Sequence, residues 1–228
     1  MQRLATCSTA LVVAALVVAG LASPVRAGNN VYGFRGGVNI STLKGEDPVD
    51  LDSVNRPVAG VVGVFGLTPW LGFQIEALWS GKGAEGTLPF SYFGGTLATG
   101  SMTLDYLEIP LLLRFTPAAN GRWRPFLYGG PGFAANLSAD AEASVDGTPI
   151  SPKILAGLEQ IIADGDLLLM GGAGIGAVVS GRLFELDVRY SAGLVNIDES
   201  RRSFSPHNRT VSVSLALLLG HSLKSIAE

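Results

Sequence analysis

Seven charged side chains invite a chemical reading first: Glu76, Glu108, Arg114, Glu185, Asp187, Arg189 and Arg35. They sit inside apolar runs, at positions that alternate with large hydrophobic residues. "YLEIPLLLRF", residues 106–115, shows the pattern: Leu107, Ile109, Leu111, Leu113 and Phe115 share one face of an extended chain, and Tyr106, Glu108, Pro110, Leu112 and Arg114 share the other. Acids and arginines gathered on a common inner surface would pair, because a desolvated carboxylate without a partner costs several kcal/mol. Glu76, Glu108 and Arg189 each lie about six or seven residues from a short turn, so they are expected at a similar depth, with Arg35, Arg114, Glu185 and Asp187 nearby. The chemistry on offer is an ion-pair network plugging a narrow space, or a gated ion path through it.

The remaining candidates carry weaker signals. His207 lies near Ser203, Ser205 and Asp198, the residue types of a hydrolytic triad, but nearness in a loop does not supply triad geometry. Gly172, Gly174 and Ala177 in "LLLMGGAGIGA" match a nominal dinucleotide fingerprint. The next strand begins about five residues on, leaving no room for the helix whose N-terminus would hold a pyrophosphate. Glu46, Asp47, Asp50 and Asp52 offer oxygen ligands in "GEDPVDLD", without the spacing of a calcium-binding loop. No catalytic residue, cofactor or metal site is expected.

Elements that could position the seven charges follow from period-two patterning. Eight strands are predicted, near 31–43, 56–67, 70–81, 101–115, 123–137, 166–180, 182–195 and 209–220. Connections alternate between short, near 68–70, 116–122 and 180–182, and long, near 44–55, 82–100, 138–165 and 196–208. Pro, Gly and Asn supply turn chemistry in the short ones. In the third long connection, "KILAGLEQIIADG" repeats apolar residues at a helical period.

Facial composition is consistent from strand to strand. Phe184, Leu186, Val188, Tyr190, Ala192 and Leu194 oppose Glu185, Asp187, Arg189, Ser191 and Gly193, while Leu71, Phe73, Ile75, Ala77 and Trp79 oppose Gln74, Glu76 and Ser80. In the last strand Val211, Val213, Leu215, Leu217 and Leu219 oppose Ser212, Ser214 and Ala216. "PVAGVVGVFGL" is apolar on both faces and gives no orientation. Tilted by about 40°, such strands cross most of an apolar band about 25 Å tall.

Composition points to the same habitat. Charged residues are 15% of the chain, against roughly 25% in soluble domains, and mean hydropathy is +0.37. Residues 1–27 read as a secretory leader: a basic start at Arg3, an apolar run, and Val25-Arg26-Ala27 before a cut after Ala27. Cys7, the single cysteine, falls within it. Without Arg3 and Arg26 the 16 basic residues become 14, against 19 acidic, so residues 28–228 carry a net charge of −5. No basic block suggests a nucleic-acid partner. An exported, hydrophobic chain with no apolar stretch of spanning length after its leader must pair its backbone in lipid by closing a sheet. The expectation is an all-β fold: an eight-stranded antiparallel transmembrane barrel, 28–228, with short periplasmic turns and long extracellular loops.

"GFRGGVNIS" (33–41), "YLEIPLLLRF" (106–115), "RPFLYGGPGFA" (124–134), "GGAGIGAVVSGRLFELDVRYSAGLVNI" (171–197) and the serine-alternating last strand resemble the outer-membrane barrel domain of PorT-like proteins. The resemblance implies a barrel in the outer membrane of a diderm bacterium, in contact with its lipids and lipopolysaccharide and inserted by the barrel assembly machinery. The chain departs from many such barrels in ending "LLLGHSLKSIAE" rather than on an aromatic residue. The expected role is structural or interaction-based, with an envelope protein partner reached through the long loops. A narrow porin-like channel and a lipid-active enzyme using His207 are the alternatives.

Overall fold

The computed structural model describes residues 30–44, 51–89, 97–118, 121–145, 148–149, 165–194 and 207–220. Every regular element among them is a strand: β1 (Val31–Lys44), β2 (Leu51–Gly66), β3 (Leu71–Pro89), β4 (Leu97–Phe115), β5 (Trp123–Val145), β6 (Gly165–Val179), β7 (Arg182–Gly193) and β8 (His207–Leu219). A two-residue strand, Thr148–Pro149, folds back onto the end of β5. Each long strand pairs antiparallel with its sequence neighbour, and β8 pairs with β1, so the sheet closes as an up-and-down barrel of eight strands. Following the register round the wall from Val31 leads back to β1 at Ser41. A stagger of that size goes with strands tilted by about 35–45° and an interior just wide enough for side chains.

Local sequence explains the ladder's details. The β6–β7 hairpin turns on Ser180 and Gly181, at φ 50° and 70°; two successive positive φ angles match the right-handed twist of the strands they join. Pro110, with no N–H to donate, lies where β3–β4 bridging is interrupted between Ile75↔Leu111 and Leu78↔Glu108. One extra residue in β5, between the pairs Asn136↔Tyr106 and Ser138↔Asp105, forms a bulge.

The wall is inverted relative to a soluble protein. Phe34 is 70% exposed, Leu215 65% and Val188 52%, whereas Glu76 and Asp187 are 1% exposed. In β3, β4, β7 and β8 the large apolar side chains of the outer face are wholly or partly exposed, while Glu76, Lys82, Glu108, Arg114, Glu185, Asp187 and Arg189 face inward, buried. For β2, whose sequence is apolar on both faces, Val58, Val62 and Val64 are buried and Ala59 is exposed. Trp70 and Trp123 stand exposed at the short-turn rim, Trp70 edge-on to Phe115 at 5.8 Å, in the manner of an interfacial aromatic belt.

Several strands run past their expected ends, always on the long-connection side. β3 continues to Pro89, β4 begins at Leu97, β5 reaches Val145 and β2 begins at Leu51. The connections read as 82–100, 138–165 and 44–55 are therefore partly strand. Beyond the membrane both faces of a sheet meet water, so the hydrophobic alternation that marks a strand fades while the backbone ladder persists. The leader, Glu46, Asp47 and Asp50, the helical-period stretch up to residue 164, and the tail from residue 221 lie outside the described residues.

Candidate functional site

The lumen is built in layers, starting from the short-turn rim. Val31, Val62, Val64, Val178, Leu183, Ala216 and Leu218 form an apolar floor. Beside it a cavity of ≈ 60 Å³ is bordered by the first turn and by Arg114, Arg124 and Glu185. Arg124 donates from Nε to the carbonyl of Gly121 at 3.1 Å, fastening β5 to the turn before it.

Above the floor, one chain of charged contacts crosses the barrel. Arg114 of β4 grips Glu185 of β7 with two bonds, 2.6 and 3.1 Å, and donates to Gln74 Oε1 at 3.0 Å. Gln74 donates in turn to Glu76. Glu76 accepts a fork from Arg189, 2.8 Å to each oxygen, and lies 3.5 Å from Arg35 Nε. Arg35 reaches on to Asp187 at 2.6 Å and Ser214 at 2.9 Å. Tyr128 closes the circuit: its hydroxyl donates to Asp187 and accepts from Arg189 Nε at 3.1 Å. Strands far apart in the wall are thereby tied through the middle, in a water-poor space where charge-assisted bonds are strong.

Aromatic rings of β5 support the cations. Arg114 lies over Phe126 at 3.8 Å and Arg189 over Tyr128 at 5.1 Å, and the two rings stack on each other at 6.0 Å. Room for these rings comes from β6. A Cβ on Gly172 would meet Tyr128 at 2.6 Å, and one on Gly174 would meet Phe126 at 2.4 Å. The glycines that imitate a dinucleotide fingerprint are thus the seat of two lumen aromatics.

Glu108 belongs elsewhere. Sequence counting put it level with Glu76 and Arg189, but it pairs with Lys82 at 2.6 Å. Counting residues from the turn ignores the stagger between strands; Glu108 sits opposite Leu78, two residues further along β3 than Glu76. Lys82 was missed because it follows Gly81 in what reads as loop. It lies 5.4 Å from the Tyr106 ring centre. Next to this pair Asn39 donates to Ser80 at 2.9 Å and to the Gly81 carbonyl at 2.8 Å, and accepts from Ser212 at 2.7 Å. A space of only ≈ 10 Å³ lies among Arg35, Asn39, Lys82, Glu108 and Thr210, about enough for a single water. Phe126, Tyr128 and Asn39 were also missed, since nothing local to them signals which residues they will meet.

His207 opens β8, its backbone paired with Lys44; Asp198, Ser203 and Ser205 lie outside the described residues. Among the described residues no group of three or more His, Cys, Asp or Glu has the arrangement of a metal site.

A closed barrel with a hydrophobic exterior and a charged, side-chain-filled interior is an integral membrane barrel. The chain belongs to the outer membrane protein beta-barrel domain family, whose model matches residues 26–199, and it resides in the outer membrane. Similar solved structures include the outer membrane protein OprG from Pseudomonas aeruginosa (15% identity, 85% of this chain and 95% of that one, TM-score 0.47). Neisserial surface protein A (9%, 85% and 99%, 0.46) and Ail, the attachment invasion locus protein of Yersinia pestis (14%, 84% and 100%, 0.43), are others. No curated protein is detectably similar.

Proposed function

We propose that this protein is a sealed membrane scaffold: a barrel whose lumen is locked by ion pairs and whose long-connection rim is the working surface toward other envelope components. One observation carries the reading, the unbroken series of contacts from Glu185 through Arg114, Gln74, Glu76 and Arg35 to Asp187. An ion path would need these side chains to part, and each parting would strand a buried charge at a cost of several kcal/mol. Glu76, Arg35, Arg114, Glu185, Asp187 and Arg189, with the separate Glu108–Lys82 pair, are structural rather than catalytic in this reading. No enzymatic role is assigned to His207.

Residues 1–27 act as a cleaved leader, and the barrel assembly machinery inserts residues 28–228 among outer-membrane lipids and lipopolysaccharide. The segments quoted above favour grouping the chain with PorT-like barrels, without a secretion role. Planar-bilayer recording on the purified barrel tests the sealed lumen. No steady current is expected; reproducible ion-selective steps would replace this reading with that of a narrow channel.

A further inference from the structure

Among the described residues five cations are buried inside the barrel: Arg35, Lys82, Arg114, Arg124 and Arg189. Four of them hold a carboxylate: Arg35 holds Asp187, Lys82 holds Glu108, Arg114 holds Glu185 and Arg189 holds Glu76. Arg124 is the exception. It is 6% exposed, yet among the described residues no carboxylate lies within salt-bridge distance of it. Its Nε is fixed on the neutral carbonyl of Gly121 at 3.1 Å. The guanidinium is therefore held in place with its charge uncompensated, a state that a bound anion would relieve.

Space for an anion exists beside it. The half-open cavity of ≈ 60 Å³ at the short-turn rim is bordered by Arg124 together with Thr68 and Thr116. Both hydroxyl oxygens already accept: Thr68 Oγ1 from the Leu71 amide at 3.0 Å, and Thr116 Oγ1 from Arg114 Nε at 3.3 Å. Each keeps its own O–H to donate. Glu185, the acid in the lining, has both oxygens committed to Arg114. With Arg114, Arg124 and Glu185, the lining carries one positive charge in excess.

Size and polarity narrow the ligand. Where one water needs about 10–15 Å³, this cavity has room for a group of about four or five heavy atoms. Much of the remaining lining is apolar, with Val31, Val64, Leu71 and Leu183. A bare inorganic anion would turn some of its oxygens against those side chains, whereas a carboxylate with a short alkyl group uses both kinds of surface. A guanidinium fork also matches a planar carboxylate with two parallel bonds.

We infer that this cavity is a binding site for a short-chain carboxylate of acetate or propionate size, held by Arg124, Thr68 and Thr116. Thr68 lies in the β2–β3 turn and Thr116 just after β4, so a bound carboxylate also ties two turns to the foot of β5. The cavity sits at the short-turn end of the charged chain, and the site does not require a sealed lumen.

The test uses the mature barrel in uncharged maltoside micelles, followed by NMR at the Arg124 Nε–H and at the Leu71 amide. Sodium propionate replaces sodium chloride at constant ionic strength, with inorganic phosphate as the contrast. Propionate is expected to shift both signals saturably, and phosphate to bind about tenfold more weakly, the scale of burying two alkyl carbons. Arg124→Gln should weaken propionate binding by about tenfold or more, read at the Leu71 amide. Thr116→Val should weaken it by about fivefold, the scale of a neutral hydrogen bond. A heat-dependent gel shift reports folding; if Arg124→Gln loses it, Thr116→Val decides. Shifts that chloride reproduces, shifts that grow without saturating, or undiminished binding by a folded variant would overturn the site. Phosphate binding as tightly as propionate would overturn its assignment to a carboxylate.

Discussion

Two arginine–carboxylate pairs of nearly equal length stand in contrasting surroundings. Arg189 holds Glu76 at 2.8 Å with both side chains almost wholly buried in the lumen, while Arg56 holds Asp105 at 3.1 Å with side chains 32% and 24% exposed. Distance does not separate them; their surroundings do. Water and mobile ions can replace either partner of the outer pair, which contributes about 0–1 kcal/mol. Nothing comparable reaches Glu76, which has Arg189, Arg35 and Gln74 as neighbours. Losing Arg189 leaves that carboxylate undercompensated in a place where charge is costly. Strength of attachment in this barrel is set by what surrounds a pair.

Breaking the inner pair should have the largest effect. Arg189→Leu is expected to lower the stability of the folded barrel by about 3–5 kcal/mol, read from urea unfolding in lipid vesicles. Crowding the ring seat comes next: Gly174→Val would press on Phe126 and Asp187, with their nearest atoms 2.4 and 2.7 Å from the new Cβ. A loss of about 1–3 kcal/mol is expected from such overpacking, together with a changed near-ultraviolet signal from the displaced rings. Lys82→Met should cost about as much or somewhat less, because Glu108 keeps 4% exposure and the small space beside it offers solvation. Smallest of all, Arg56→Ala is expected to shift stability by less than about 1 kcal/mol, and added salt should erase what difference there is.

The two pairs also differ in how visible they are before folding. Glu76 and Arg189 stand out because each interrupts an apolar run whose outer face is uniform, so their inward direction follows from alternation in β3 and β7 alone. Their joining to each other does not, since it depends on the stagger between distant strands. That same stagger misled the depth assigned to Glu108. β2 could not be oriented because Val58 and Val62 differ in no chemical respect from Val61, and only the closing of the wall decides which faces inward. Lys82 reads as loop because it follows Gly81 at the end of the alternating run, although it is buried in the lumen, and the outer ends of β3, β4 and β5 read as loop because in water on both sides a strand needs no alternation. Gly172 and Gly174 acquire their meaning from Tyr128 and Phe126, rings contributed by a strand more than forty residues earlier in the chain.

The central claim, that buried charges crossing the lumen hold the wall together as partners, is tested most directly by a double-mutant cycle on Glu76 and Arg189. Unfolding free energies would be compared for the parent, Glu76→Leu, Arg189→Met and the combined variant, all in the same vesicles. Each single change should cost about 3–5 kcal/mol, and the pair together should cost less than either alone, because neither then strands the other's charge. Strictly additive losses would mean the two residues act independently, and would contradict the account.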